Sequence, residues 1–151
     1  MTIFLGMVEW GMFEQQTITV PTAGRGSIEI TGKVAEVLRA SSITRGLCHV
    51  FVHHTSASLM ITENADSNVR RDLENYIARL VQDGDPAYFH DQEGPDDMAA
   101  HIRSVLTQSE ITIPIQSGRL ALGTWQGLFL WEHRLQAHRR KITVTLSGAQ
   151  G

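Results

Sequence analysis

The order of apolar and polar residues along the chain predicts a fold built mainly from β-strands. Runs in which apolar side chains alternate with polar ones, or β-branched residues cluster, occupy residues 13–20, 27–30, 46–54, 58–62, 109–115 and 139–147. Neighbouring side chains of an extended chain point to opposite faces, so each run predicts a strand with one buried face. Residues 118–134 hold two more apolar runs around Gly123–Gly127, and we interpret this segment as a hairpin.

Three other segments repeat apolar residues every three or four positions, as amphipathic helices do. The first is predicted from Thr31, a candidate N-cap, to Ala40, and the second from a cap at Asn64 or Asp66 to about Val81. The expected buried stripes of the three helices are Val34, Val37 and Leu38; Val69, Leu73, Tyr76, Ile77 and Leu80; and Met98, Ile102, Val105 and Leu106.

The third predicted helix opens at Pro95-Asp96-Asp97. A proline early in the first turn and acidic side chains near the positive end of the helix dipole are both favourable there. His101 follows Asp97 by four residues, so the two side chains are neighbours on one flank of this helix.

The predicted elements number seven or more strands and three helices, without the strict strand–helix–strand alternation of parallel folds. They indicate an α+β domain with mostly antiparallel sheets. At 151 residues the chain has the length of a single domain. We assign residues 13–148 to this domain and residues 1–12 to an N-terminal extension, which lacks the basic region and cleavage site of a signal peptide.

Charge and composition narrow the range of partners. A formal charge of −3 and a pI near 6.1 argue against nucleic acid, which would need a basic surface. The apolar N-terminus does not have the features of a membrane span, so we expect no membrane partner. The single cysteine, Cys48, permits no disulfide within the chain and predicts a reducing, cytoplasmic location.

Seven histidines are more than the core of a domain this size needs, and three of them stand out. His54 ends an apolar strand face, His90 lies in a loop, and His101 lies on a helix flank beside Asp97. Three imidazoles from separate elements suit a metal with an open coordination position, most simply zinc. Asp97 would hold the free ring nitrogen of His101 in the required tautomer. The histidines interpreted as structural are His49, His53, His133 and His138.

Several longer motifs follow one another along the chain. They are His54–Leu59 (HTSASL), Glu63–Asp66 (ENAD), Tyr88-x-His90, Gly94–His101 (GPDDMAAH) and Gly118–Gly127 (GRLALGTWQG), with Glu132 and Arg139-Arg140 after them. Together they resemble the YjbQ family of secondary thiamine-phosphate synthases, over nearly the whole chain.

The resemblance implies a two-sheet β-sandwich that assembles as a homotrimer. It implies that the counterparts of His54, His90 and His101 converge near subunit boundaries, on a metal. It also implies a reaction in which hydroxymethylpyrimidine diphosphate is coupled to a thiazole phosphate, giving thiamine phosphate and releasing diphosphate. The expected substrate is therefore a phosphorylated small molecule.

Displacement of diphosphate needs cations on the leaving group and a dry, polar-lined pocket. We assign anion binding to Arg119 and Arg140. Glu132 is the candidate acid or base, and Asp97 completes the catalytic set. The other candidates for substrate binding are Asn64, Asp66, Thr124, Trp125, which would stack on the pyrimidine, and Gln126, which would hydrogen-bond to it.

Diphosphate chemistry normally uses magnesium, whereas a three-histidine site suits zinc, which activates water or polarises an oxygen. One alternative is therefore a metal-dependent hydrolase or lyase acting on another phosphorylated small molecule. Another is a non-catalytic trimeric module that binds a metal or ligand. Structural roles also exist for Glu132, in a salt bridge with Arg134 or Arg140, for Arg119, as a charge beside a turn, and for Trp125, as a core or trimer contact.

Overall fold

A computed structural model describes residues 11–151, and most of the predicted extension at residues 1–12 lies outside this range. The described chain has eight strands and three helices, in agreement with the predicted α+β class. In chain order they are β1 (Met12–Pro21), β2 (Gly26–Glu29), α1 (Thr31–Ala40), β3 (Arg45–Val52), β4 (Ala57–Glu63), α2 (Ser67–Leu80), α3 (Asp97–Leu106), β5 (Glu110–Gln116), β6 (Arg119–Leu120), β7 (Gln126–Glu132) and β8 (Arg139–Ala149).

The strands form two antiparallel sheets. The five-stranded sheet has the order β1-β8-β3-β5-β6, and the three-stranded sheet has the order β2-β7-β4. Alternate residues of both sheets meet in one core, where Val50 of β3, Val144 of β8 and Leu130 of β7 are fully buried. The expected two-sheet, mostly antiparallel sandwich is therefore confirmed.

Helices α2 and α3 lie against the other face of the three-stranded sheet. The guanidinium of Arg70 in α2 lies 4.8 Å from the ring centre of Phe129 in β7. Ser104 in α3 donates a hydrogen bond to the carbonyl of Ala57 in β4 at 3.3 Å. Among residues 11–151, no helix has both the length and the hydropathy needed to cross a bilayer.

The buried sides of these two helices differ from the predicted stripes. Tyr76 and Leu80 of α2 are 61% and 60% exposed, and Val105 of α3 is 83% exposed. Helix α3 instead packs through a side made of Asp97, Ala99, Ala100 and Arg103. The buried Arg103 extends to Glu74 of α2, with Nη1 2.7 Å from Oε1. Small residues and an ion pair thus replace the large apolar contacts that we expected.

The predicted hairpin at residues 118–134 is wrong. Strand β6 pairs with β5 in the five-stranded sheet, whereas β7 lies between β2 and β4 in the other sheet. Residues 121–125 therefore pass from one sheet to the other. The alternation of side chains predicts a strand and its faces, but the choice of partner strand depends on contacts far away in the sequence.

Thr31 does not cap α1 through its side chain, because the N-cap position is Ile30. Its hydroxyl accepts a hydrogen bond from the backbone N–H of Leu128 at 2.8 Å, which ties the start of α1 to β7.

Cys48, at the centre of β3, is fully buried between the sheets. Burial raises the pKa of its thiol to about 12, because the apolar core disfavours the thiolate. The group is therefore a packing residue at neutral pH.

Candidate functional site

One end of the three-stranded sheet carries a cluster of two histidines and a carboxylate. Asp97 is the first residue of α3, His101 lies one turn later, and His90 belongs to the loop before the helix. The Oδ2 atom of Asp97 lies 2.7 Å from Nε2 of His90 and 3.4 Å from Nε2 of His101. One potential ligand atom from each residue lies within 4.8 Å of the other two. The structure thus brings together two of the three predicted histidines and the predicted orienting acid.

A backbone hydrogen bond fixes the tautomer of His101. Its Nδ1 lies 3.1 Å from the carbonyl oxygen of Thr55, and a carbonyl can only accept, so Nδ1 carries the proton. In the neutral ring, Nε2 then presents a lone pair near the Asp97 carboxylate. Two acceptors so close together repel each other unless a cation or a second proton lies between them. This arrangement fits a metal ion, and it equally fits a ring that carries both protons.

Arg134, which follows the end of β7, holds Asp97 from its other side. Its Nη1 donates to Oδ1 of Asp97 at 2.7 Å, and its Nε donates to Oδ2 of Asp96 at 2.9 Å. Burial alone would raise the pKa of Asp96, but hydrogen bonds from the Leu135 N–H and from Arg134 outweigh burial and lower it. This role of Arg134 was missed from the sequence, because its acidic partner lies 37 positions away.

The third predicted ligand, His54, is not a member of this cluster. Its Nε2 accepts a hydrogen bond from the backbone N–H of Lys141 at 2.8 Å. Burial, and then the positive charge of Arg140, lower the pKa of His54, so the ring is neutral at neutral pH with its proton on Nδ1. His54 follows the end of β3. The lone pair of its Nε2, which a metal would need, accepts the hydrogen bond from β8.

Glu132 and Arg140 form a buried ion pair close to the same end of β7. Glu132 is fully buried and accepts from Nε of Arg140 at 2.9 Å, from Nη2 of Arg140, and from the hydroxyl of Thr22 at 2.7 Å. Burial alone would raise the pKa of Glu132, but the hydrogen bonds from Arg140 and Thr22 outweigh it and lower the pKa. The salt bridge with Arg140, which was the structural role predicted for Glu132, is therefore present.

The guanidinium of Arg140 has further hydrogen-bond partners. Its Nη2 also donates to the carbonyl and to the hydroxyl of Ser56, at 3.2 and 3.0 Å. The adjacent carbonyl, that of Thr55, holds His101. The loop between β3 and β4 therefore joins the buried ion pair to the histidine cluster through two consecutive residues.

The remaining candidates lie at the opposite end of β7. Ala57 of β4 pairs with Glu132, and Glu63 pairs with Gln126. Six residue steps separate these positions, which corresponds to about 20 Å along an extended strand. The side chains at this far end, all of them exposed, are Asn64, Asp66, Arg119, Thr124, Trp125 and Gln126.

Three of these side chains have structural partners. The Oε1 atom of Gln126 accepts from the N–H of Gly123 at 2.7 Å. Asp66 is the N-cap of α2 and accepts from the N–H of Asn68 at 2.8 Å, as the cap interpretation predicts. Asn64 donates to Glu29 at 3.2 Å. Within one protomer, the structure therefore does not bring these six candidates to the histidine cluster.

His133, interpreted from the sequence as structural, is fully buried on the helix-facing side of β7. Its Nε2 lies 2.8 Å from the hydroxyl of Ser58, and its Nδ1 has no partner among the described residues. Burial, followed by the charge of Arg103, lowers the pKa of His133 to about 3. The ring is neutral over the physiological range.

The fold and the cluster define a class: small two-sheet α+β proteins with two histidines and a carboxylate at the start of a covering helix. The family model described as UPF0047 protein YjbQ-like matches residues 16–149, and the chain belongs to this family. Membership of the YjbQ family, predicted from the motifs, is confirmed.

Relatives from several organisms support this assignment. A UPF0047 protein of Synechocystis sp. is 49% identical over 134 residues, which cover 89% of this chain and 91% of the relative. The UPF0047 protein YjbQ of Salmonella typhimurium is 44% identical over 138 residues, which cover 91% and 99%.

Solved structures agree with the fold. A conserved hypothetical protein of Thermus thermophilus has a TM-score of 0.78 at 36% identity, covering 87% of this chain and 98% of its own. A YbjQ-like protein of unknown function from Sulfolobus solfataricus has a TM-score of 0.84 at 26% identity, covering 93% and 100%.

Proposed function

We propose that this protein is a metal-dependent enzyme acting on a small molecule, with the metal held by His90, Asp97 and His101. One observation carries the proposal: Oδ2 of Asp97 faces Nε2 of both rings at 2.7 and 3.4 Å, while the Nδ1 proton of His101 is committed to Thr55. Two imidazole nitrogens and a carboxylate oxygen suit zinc and leave room for water or substrate. A bound zinc ion would lower the pKa of water and polarise a substrate oxygen.

The surrounding residues hold the proposed ligands in place. Arg134 fixes the carboxylate of Asp97, and Thr55 fixes the ring of His101. The His90 side chain is 49% exposed and lines a cavity of about 350 Å³ together with Tyr88 and Pro95. A substrate would enter from this open side, opposite the buried carboxylate.

We propose hydrolysis or elimination of a phosphorylated small molecule as the reaction class. The two arginines close to the cluster, Arg134 and Arg140, are already paired with Asp96, Asp97 and Glu132. Neither guanidinium is available to clamp a diphosphate without loss of those pairs. Activation of water requires no such clamp.

The second candidate is the coupling reaction of the thiamine-phosphate synthases. The exposure of Trp125, which is 62%, and of Arg119 favours it, because both side chains are accessible to a phosphorylated aromatic molecule. These residues lie about 20 Å along β7 from the histidine cluster of their own protomer. The coupling reaction would therefore need a homotrimer in which one chain supplies Arg119 and Trp125 and another supplies the histidines.

Elemental analysis of the purified protein tests the metal site. We expect one zinc ion per chain, lost in His90→Ala, Asp97→Asn and His101→Ala variants that keep the wild-type circular dichroism spectrum. The matched control is His49→Ala, on the outer face of the five-stranded sheet. Because His54 lies outside the cluster, His54→Ala should keep its metal. A wild-type protein that takes up no zinc, or a His101→Ala protein that still binds one equivalent, would contradict the proposal.

Two activity assays separate the candidate reactions. Zinc-dependent hydrolysis of p-nitrophenyl phosphate that disappears in Asp97→Asn supports the hydrolase. Formation of thiamine phosphate from the pyrimidine diphosphate and the thiazole phosphate, lost in both His101→Ala and Arg119→Ala, supports the coupling enzyme. A mixture of these two variants would then regain activity if the site is shared between subunits. A protein that binds zinc but turns over neither substrate set would favour the non-catalytic module.

A further inference from the structure

A second cavity lies far from the histidine cluster, between α1 and the β5–β6 turn. Its volume is about 550 Å³, within the usual range for small-molecule sites. One wall is a single side of α1, and the other is formed by the turn and the chain that follows it. The lining residues are Thr31, Ala35, Leu38, Arg39, Gly118, Arg119, Leu120, Leu122 and Gln126.

The polar groups that remain available in this cavity are hydrogen-bond donors. Arg119 forms no ion pair or side-chain hydrogen bond with any residue of the described range 11–151. Arg39 has one exposed ion pair, with Glu36 at 3.8 Å. The Oε1 atom of Gln126 accepts from the N–H of Gly123 at 2.7 Å, so its amide NH₂ group is left to donate. The hydroxyl of Thr31 is already used by neighbouring backbone and side-chain groups.

No carboxylate is among the nine lining residues, although two contact them from outside: Glu29 accepts from the Thr31 hydroxyl at 3.1 Å, and Glu36 pairs with Arg39. Two guanidinium groups and one amide donor therefore face a space whose other surfaces are apolar. The apolar part comes from Ala35, Leu38, Leu120 and Leu122. Such a combination is complementary to an oxyanion attached to an apolar or aromatic body.

The backbone fixes the position of Arg119. Ser117 and Gly118 have φ values of 50° and 71°, as in the type I′ turns that join antiparallel strands. The N–H of Gly118 donates to the carbonyl of Thr44 at 2.9 Å, and Arg119 pairs with Gln116 in the sheet. Arg119 thus projects from a turn whose backbone is held in place, so binding a ligand has to order only its side chain.

We propose that this cavity is a binding site for a small molecule that carries a carboxylate or a phosphate on an apolar or aromatic body, held by Arg39, Arg119 and Gln126. The site is distinct from the metal cluster within the protomer, because the two lie at opposite ends of β7. The site shares Arg119 with the second candidate reaction, but it does not depend on the proposed metal chemistry.

Amide chemical-shift titrations of the full-length protein with phenyl phosphate, benzoate and phenol test the proposal. Saturable shifts should map to α1 and β6 for the two anions, and phenol should bind at least tenfold more weakly because it lacks the charge, a factor of the order expected for charge-assisted hydrogen bonds. Comparison of the two anions tells whether the site prefers a phosphate or a carboxylate. Arg119→Ala and Arg39→Ala should each weaken anion binding about tenfold. The matched control is Arg71→Ala, an exposed arginine of α2.

An Ala35→Leu variant should weaken binding, because the larger side chain takes up part of the apolar wall while both arginines remain. Unfolding midpoints and zinc content identify any variant that has lost its fold or its metal, so a failure here is distinguishable from a failure of the metal proposal. The proposal is overturned if phenol binds as well as the anions, if Arg119→Ala binds like wild type, or if neither anion binds saturably. Shifts confined to the histidine end of the sheet would also overturn it.

Discussion

At the scale of single residues, Glu132 has two predicted roles, as a catalytic acid or base and as the buried partner of Arg140. The Glu132→Gln variant tests both. Breaking such a pair from one side leaves an uncompensated buried charge, which costs about 3–5 kcal/mol. We expect Glu132→Gln to lower the free energy of unfolding by an amount of this order, measured by urea denaturation at neutral pH. Replacing both partners, as Glu132→Gln with Arg140→Met, should cost less than the single change.

The same variant bears on catalysis. If Glu132→Gln loses activity only in proportion to its lost folded fraction, the residue is structural. A fully folded Glu132→Gln protein without activity would instead support the acid or base role.

His133 makes stability depend on pH. The unfolded chain takes up a proton on this ring as the pH falls through the ordinary value of 6.5, but the folded chain does so only near pH 3. Between these values the unfolded state binds more protons, so stability is lost as the pH falls through this window, by several kcal/mol in total.

We therefore expect His133→Asn to flatten the dependence of the unfolding free energy on pH between 6.5 and 4, measured by urea titrations at several pH values. The control is the exposed His53→Gln variant, whose ring contacts the hydroxyl of Thr143, and it should change the slope less. An unaltered slope in His133→Asn would show that other groups dominate.

At the scale of secondary-structure elements, α3 shows why apolar periodicity misidentified a buried side. Its large apolar residue Val105 faces solvent, whereas Arg103 is buried against Glu74. We expect Arg103→Ala to destabilise the fold by about 3 kcal/mol, because it empties a fully buried position and leaves the half-buried Glu74 without its cation. Val105→Ala should change stability by less than about 0.5 kcal/mol. Thermal or urea unfolding of both variants provides the measurement, and equal effects would contradict this assignment of sides.

The strands were more predictable than the helix faces. Alternation along β1, β3, β5 and β8 reflects a core on one side of the sheet, which is a local property of the chain. The predicted buried stripe of α3 was wrong because this helix packs against a sheet edge and against α2. The ion pair of Arg103 and Glu74 lies between the two helices. Which side of a helix is buried depends on those neighbours, and residues such as Glu74 are distant in sequence.

The candidate site likewise combines features that local spacing predicts with features that depend on contacts distant in the sequence. The pairing of Asp97 with His101 follows from the spacing of one helical turn, and the sequence predicted it. His54 was assigned to the cluster because it ends an apolar strand face, but the Lys141 N–H of a distant strand takes its ring nitrogen. Arg119 is separated from the histidines because it lies beside Gln126 at the far end of β7, a position that no local pattern encodes.

At the scale of the whole molecule, the five-stranded sheet leaves apolar side chains on its outer face. Phe13 is 66% exposed, Leu47 52% and Phe51 37%, and the strand register places Phe13 and Leu47 on either side of Ser147. Exposed apolar surface of this kind favours association between subunits. We propose that this face contributes to a homotrimer, the assembly that the family resemblance implies.

The trimer that the family resemblance implies would give, by light scattering, three times the 16.8 kDa mass of the chain. A Leu47→Glu, Phe51→Glu double variant should shift the mass toward that of one chain, because it buries charge in the contact. The control is Val105→Glu, on the exposed side of α3. A wild-type protein with the mass of one chain would contradict both the proposed trimer and the coupling reaction that depends on it.

The sealed position of Cys48 has a practical consequence. A thiol reagent can reach this sulfur only when the five-stranded and three-stranded sheets part, so the labelling rate counts how often the sandwich opens. The labelling rate of Cys48 therefore reports the opening of the two sheets in the native protein. A ligand at the histidine cluster or in the cavity beside α1 should slow the labelling to the extent that it stabilises the closed sandwich.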